Sequence, residues 1–158
     1  MKQIVLSSGK TCLVSDEDYD YLCQWAWSTN STGRLTRCSD SEGCVLMHVE
    51  VVRRMGLKIE CGFEVDHEDR NYLNNQRSNL RLATKSQNQA NSNLRIDSTS
   101  GYKGVTWHVR IMRWQAKIQV RKTRIFLGYF KTPEEAARAY DKAAKRYFGE
   151  FANLNFKE

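Results

Sequence analysis

The chain has 158 residues, a formal net charge of +7, 41% hydrophobic residues, nine Gly and a single Pro. Those values fit one folded domain or two small ones and exclude a fibrous or disordered chain. No apolar run approaches the length of a membrane span, and "MKQIVLSSGK" lacks the pattern of a signal peptide, so an intracellular, non-secreted protein is expected.

The charge is unevenly placed. Residues 1–96 carry 12 Lys+Arg against 12 Asp+Glu, whereas residues 97–158 carry 13 against 6. The whole excess lies in the second part, which points to a polyanion-binding region beside a neutral one. Five cysteines, at 12, 23, 38, 44 and 61, form no C-x-x-C pair. Their spacing matches neither a disulfide framework nor a common zinc site, so reduced thiols acting as small apolar residues are expected; zinc on Cys38, Cys44 or Cys61 is the minor alternative.

In chain order, "QIVLSSGKTCLV" reads as a hairpin around a Ser-Ser-Gly-Lys turn. "SDEDYDYLCQW" reads as a short helix with Ser15 as N-cap and acids in its first turn. Turns are expected at 28–33 and 39–43. A second hairpin should run into the helix "LMHVEVVRRM", stopped by Gly56, with His48 in a structural role. The stretch 71–93, rich in Asn, Gln, Ser and Arg, should be irregular and then helical near 84–92. "RIDSTSG" (95–101) is the expected linker, placing one domain at 1–96 and another at 97–158.

The last third alternates. Val105, Trp107, Val109, Trp114, Ala116, Ile118, Val120, Ile125 and Leu127 should share an apolar face. Thr106, His108, Arg110, Gln115, Lys117, Gln119, Arg121, Arg124 and Phe126 should lie on the opposite, largely basic face. "TPEEAARAYDKAAKRYFG" predicts a helix capped by Thr132 and Glu135, begun at Pro133 and ended at Gly149. Its inward face should carry Ala136, Ala139, Tyr140, Ala143 and Tyr147. The expected module is a three-stranded antiparallel sheet packed on one helix, its basic face open to a DNA major groove.

In that region "YKGV", "W-x-A-x-I", "LGYF", "T-x-E-E-A-A-x-A-Y-D-x-A-A" and "LNF" resemble the plant ethylene-response-factor (AP2/ERF-type) DNA-binding domain over nearly all of 101–156. The resemblance implies duplex DNA as partner. It carries DNA contact onto Lys103, Thr106, Lys117, Gln119, Arg124, Phe126 and Tyr129; parity adds His108, Arg110 and Arg121. Thr106, Lys117 and Gln119 depart from the Arg, Glu and Arg of the plant proteins, so the plant target does not transfer.

The stretch "VDHEDRNYLNNQRSNLRLATKSQN" holds what one-metal phosphodiester hydrolysis needs: an imidazole base, a carboxylate and amide oxygens. "VDH", then "NLR", then "T-x-x-x-N" resembles the HNH nuclease family, whose phage and intron-encoded homing branch often adds a DNA-binding module. The fold class implied is α+β, with an N-terminal ββα-metal nuclease module. The resemblance makes His67 the general base and Asn79 the residue that orients it by hydrogen bonding. It makes Asp66 and Asn88 the metal ligands and gives Arg81 a phosphate contact. Oxygen ligands favour one Mg²⁺ or Mn²⁺ over Zn²⁺. The Gly common after the catalytic His is missing from "EDRNYLNN", so a changed turn is expected. A DNA endonuclease, nicking in preference to double-strand cutting, follows from the two resemblances, with no obligate protein partner. A DNA-binding regulator with an inactive nuclease site, and an RNA-processing nuclease, are the rivals.

Overall fold

The computed structural model describes residues 1–39 and 43–156; the turn expected at 39–43 falls largely outside the described residues. The chain divides into two compact units, Met1–Thr84 and Lys85–Glu158. This division by packing precedes the 96/97 boundary read from motifs, so helix α3 (Lys85–Asn91) counts with the second unit.

The first unit opens with strands β1 (Lys2–Val5) and β2 (Thr11–Val14), antiparallel, with Gly9 at φ 80° in the turn between them. Helix α1 (Asp16–Leu22) follows. Ser15 has the extended backbone of an N-cap, but its hydroxyl does not cap the helix; it accepts a hydrogen bond from the Arg77 amide at 2.9 Å. The short β3 (Ser28–Thr29) pairs with β4 (Leu35–Ser39), and β4 with β5 (Gly43–Leu46), which runs directly into α2 (Met47–Arg54). Gly56, at φ 75°, turns the chain away after α2. Then come β6 (Phe63–His67), the two-residue β7 (Asn74–Asn75), a 3₁₀ turn (Arg77–Asn79) and β8 (Leu80–Thr84). β6 and β8 form their own antiparallel pair, while β7 joins β2 in parallel.

The core of this unit gathers Ile4, Leu6, Val14, Leu22, Trp27, Leu35, Met47, Val51, Val65 and Leu80. Trp27 is fully buried and its indole N–H donates to the Leu22 carbonyl at 2.8 Å. Asp18, also fully buried, receives Arg77 at 2.7 Å and Arg54 at 2.9 Å, so one carboxylate ties α1 to α2 and to the 3₁₀ turn. Burial alone would raise the Asp18 carboxyl; hydrogen bonds from the two guanidinium groups outweigh it and hold it below the usual value.

Two of the cysteines correct the expectation of reduced thiols. Cys38 and Cys44 face each other across β4–β5 and are joined by a disulfide. The hairpin supplies the close approach that linear spacing does not reveal. Cys12 is a buried free thiol raised to about 11 by desolvation; Cys23 and Cys61 are free and exposed.

In the second unit, β9 (Val105–His108), β10 (Arg113–Val120) and β11 (Thr123–Phe130) form an antiparallel sheet with β10 in the centre. Helix α4 (Pro133–Phe148) packs on all three strands. Its Thr132–Glu135 capping box is complete, with Pro133 in the first turn and Gly149 beyond the end. The buried side of α4 is Ala136, Ala137, Tyr140, Asp141, Ala143, Ala144 and Phe148. Tyr147, expected inside, is exposed and Phe148 takes its place. Alanine pairs bring the helix close to the sheet, so its buried stripe widens to neighbouring positions. Gly104 shows how close the approach is: a Cβ there would overlap the Tyr140 ring, and its φ is 72°. Trp107 and Val109 also leave the expected apolar face. Trp107 lies on an edge strand and is exposed, in edge contact with Trp114, and Val109 sits in the turn after β9.

Candidate active site and nucleic-acid interface

The β6–β8 pair sets Asp66 opposite Arg81 and His67 opposite Leu80. Asp66 and His67 are both buried, and Arg81 Nε donates to Asp66 Oδ2 at 3.1 Å. His67 lies edge-on to His48 of α2, with ring centroids 5.1 Å apart, and to Tyr72 at 5.4 Å. Burial pulls the His67 pKa below 6.5, although the Asn75 hydrogen bond and the charges of Asp69 and Asp66 pull the other way. His48 is driven down to about 3, first by burial and then by His67 and Arg34. Both imidazoles are therefore neutral at pH 7.

The protonated nitrogen of His67 follows from its neighbour. Asn75 is fully buried and donates Nδ2–H to the Tyr72 carbonyl at 3.0 Å, which turns its Oδ1 toward the ring. Oδ1 lies 3.3 Å from His67 Nε2. An amide oxygen only accepts, so Nε2 carries the proton and Nδ1 is the basic nitrogen. The sequence placed Asn79 in this orienting role. In the structure Asn79 accepts from the Asp69 amide at 3.0 Å and donates to Asp69 Oδ1 and the Asn74 carbonyl at 2.9 and 2.8 Å. Asn79 shapes the loop behind the histidine, and Asn75 holds the imidazole.

The asparagine-rich stretch is thus largely loop architecture. Asp69 Oδ1 accepts from the Asn71 amide at 2.8 Å, Asn71 Oδ1 from the Leu73 amide at 3.1 Å, and Asp69 Oδ2 from Asn74 Nδ2 at 2.8 Å. Burial would raise the Asp69 carboxyl, but the Asn71, Asn74 and Asn79 donors and His67 together lower it. Arg70 closes the turn back to the His67 carbonyl at φ 64°, a left-handed conformation that Gly adopts more readily.

Among the described residues no three His, Cys, Asp or Glu side chains gather as a metal cluster. The expected pair is a carboxylate and an amide, Asp66 and Asn88, both hard oxygen donors that suit Mg²⁺ or Mn²⁺. Asn88 lies half-buried on α3, within the second unit.

On the sheet of that unit, cross-strand pairing puts residues of one face in rows. Thr106 and Tyr129 flank Gln115; Lys117 opposes Phe126; Gln119 opposes Arg124; His108 opposes Arg113. A register shift at Ala116/Lys117 and Gly128, at φ 138°, mark a bulge at Leu127 of β11. Thr106, Lys117, Gln119, Arg124, Phe126 and Tyr129 are exposed. Gln115 is buried, its amide 3.4 Å from the Tyr129 hydroxyl. His108 is half-buried against the Tyr129 ring at 5.3 Å. Arg110 and Arg121 occupy the two turns, exposed but outside the strands. Lys103 is elsewhere: its Nζ donates to the Ala90 and Ser92 carbonyls at 2.6 and 2.7 Å.

His48, Tyr72, Asp69 and Asn75 were not singled out as site residues from sequence. The one signal for His48 was a polar residue among Met47, Val51 and Val52 on the apolar stripe of α2. For Asn75 no local signal distinguishes it from the other side-chain amides of the stretch.

The first unit thus carries a buried Asp-His pair on strand β6, and the second carries an exposed, largely basic sheet face packed on a helix. Residues 45–90 match the family model described as HNH endonuclease, and residues 100–150 match the model described as AP2 domain. The chain is 41% identical over 100 residues to an uncharacterized HNH endonuclease of Acanthamoeba polyphaga mimivirus, covering 62% of this chain and 50% of that protein. It is 43% identical over 58 residues to an AP2-like ethylene-responsive transcription factor of Arabidopsis thaliana, covering 37% of this chain and 12% of the other. A protein of Oryza sativa subsp. japonica containing AP2/ERF and B3 domains is 50% identical over 58 residues, 37% of this chain and 16% of that one. The chain spans half or less of the length of these relatives.

Proposed function

We propose that the protein is a metal-dependent DNA endonuclease of the homing or phage HNH type that nicks duplex DNA, targeted by its AP2-like sheet. The observation that carries this reading is His67: neutral, buried, fixed by Asn75 with Nδ1 as its basic nitrogen, and next to Asp66 inside the HNH-matching segment. His67 Nδ1 takes a proton from water, and the resulting hydroxide attacks the phosphorus in line with the 3′ oxygen. The P–O3′ bond breaks, leaving a 5′ phosphate and a 3′ hydroxyl. Asp66 and Asn88 are the residues proposed to hold one Mg²⁺ or Mn²⁺, which when bound supplies positive charge to the phosphate and the departing oxygen. Arg81 holds the Asp66 carboxylate and is proposed to meet the scissile phosphate. Asn79 supports the reaction through the loop it ties.

Thr106, Lys117, Gln119, Arg124, Phe126 and Tyr129 are proposed as the DNA-reading surface, with Arg110 and Arg121 on flanking phosphates and His108 as support for Tyr129. The Asp66–Arg81 ion pair favours one alternative, a DNA-binding regulator whose carboxylate is neutralised by arginine and takes no metal. Supercoiled plasmid incubated with Mg²⁺ distinguishes the two. Nicking by the wild type and its loss in both His67→Ala and Asp66→Ala supports the nuclease; a wild type as inert as the variants, with DNA binding intact, supports the regulator.

A further inference from the structure

Helix α3 ends the HNH-matching segment, which runs to residue 90, yet it packs within the unit that contains the sheet. Ala90 is buried in the same apolar cluster as Ile118, Tyr140, Ala144 and Phe148. The last carbonyls of a helix lack intrahelical partners and attract cations. Here Lys103 Nζ meets two of them, on Ala90 and Ser92. Asn153 adds a second clamp: its Nδ2 donates to the Ser92 carbonyl at 3.0 Å and its amide to the Ala90 carbonyl at 3.4 Å. At the other end, the Ser86 hydroxyl accepts from the Arg121 amide at 3.2 Å.

Lys103 is itself held rigidly. Its amide donates to Asn155 Oδ1 at 2.6 Å, and Asn155 Nδ2 donates back to the Lys103 carbonyl at 3.3 Å and to the buried Asp141 carboxylate at 2.9 Å. The chain of bonds from Asp141 through Asn155 to Lys103 runs from the middle of α4 to the end of α3.

We infer that Lys103 and Asn153 are positioning residues that clamp the C-terminal end of α3 and thereby fix Asn88 on the sheet-and-helix unit. The part of this inference that concerns Asn88 rests on the nuclease reading; the clamp itself does not. Its consequence is that the sheet-and-helix unit itself sets where Asn88, the proposed metal ligand, stands within that unit. Lys103, which the plant-domain resemblance places on DNA, serves instead as a helix cap in this chain.

The test compares full-length wild type, Lys103→Met, Lys103→Arg and Asn153→Ala by three readouts. Amide hydrogen exchange over residues 86–92 should be roughly tenfold faster in Lys103→Met, the scale of a charge-assisted hydrogen bond, with Lys103→Arg largely restoring protection. Duplex-DNA affinity without divalent metal should stay within about twofold, with an unchanged salt slope. The Mg²⁺ concentration for half-maximal nicking should rise roughly fivefold at unchanged DNA affinity, the scale of a lost outer support to a metal ligand. Unchanged exchange across α3, or a weaker affinity with a salt slope lower by about one, overturns the clamp and returns Lys103 to a phosphate. Should Lys103→Met not fold, Asn153→Ala decides by the same exchange readout. Absence of cleavage in the wild type removes the nuclease reading, while exchange and binding still judge the clamp.

Discussion

The two regions carry function in opposite ways. On β6 and its following loop, His67, Asn75, Asn79 and Asp66 are buried and hydrogen-bonded. On the sheet of the second unit, Lys117, Gln119, Arg124 and Phe126 are exposed and aligned by strand register. A buried network fixes proton position and geometry, so the loss of one member disturbs the rest. An exposed array acts mainly by summed charge and shape, so single losses are small and nearly additive. On the proposed function, chemistry belongs to the first arrangement and affinity to the second.

The sharpest way to break this contrast is His67→Ala. Nicking should fall by about 100-fold to 10,000-fold while DNA affinity measured by gel shift stays near wild type. A parallel fall in affinity would merge the two regions. Next is Asn75→Ala, which removes the partner of Nε2. A loss of about 10-fold to 100-fold in rate is expected, with a destabilisation of roughly 1–3 kcal/mol for the lost buried hydrogen bond, read by urea unfolding. An Asn79→Ala effect larger than that of Asn75→Ala would make Asn79 the residue that orients the imidazole. Asp18→Ala should cost about 2–3 kcal/mol because Arg54 and Arg77 lose their common partner. Since the folded Asp18 pKa is lowered, its contribution is complete above the unfolded value of 3.8 and is lost as pH falls through the folded one. Acid unfolding of the Asp18→Ala variant should therefore show less pH dependence below pH 4 than wild type. Lys117→Ala should weaken binding to all duplexes alike and make the salt slope shallower by about one. The smallest effect is expected for Arg70→Gly, which relieves a left-handed residue and should stabilise the fold by about 0.5–1 kcal/mol.

What the sequence disclosed tracks how local the cause is. The capping box of α4, the β1–β2 hairpin and the strand alternation of β10 depend on neighbours a few residues apart, and each is found where those patterns place it. The Asp66–His67 pair was legible for the same reason, since it is a short motif. Asn75 was not, because its role depends on a turn that brings it back to His67 from eight residues away. The clamp on α3 was further out of reach: Lys103 and Ala90 are separated by 13 residues, and Asn153 and Ser92 by 61. Such contacts follow from the completed fold. The same holds for the Cys38–Cys44 bond, which needs the β4–β5 register, and for Phe148 replacing Tyr147, which needs the depth at which α4 sits on its sheet.

The most direct measurement is the single-turnover nicking rate of wild type and His67→Ala from pH 5 to 8 in Mg²⁺, with the cut ends mapped. Because His67 titrates below 6.5, the wild-type rate should rise from acid and level off before pH 7, producing 5′-phosphate and 3′-hydroxyl ends, while His67→Ala stays low throughout. Equal rates in the two proteins, or 3′-phosphate ends, would contradict an imidazole acting as the base.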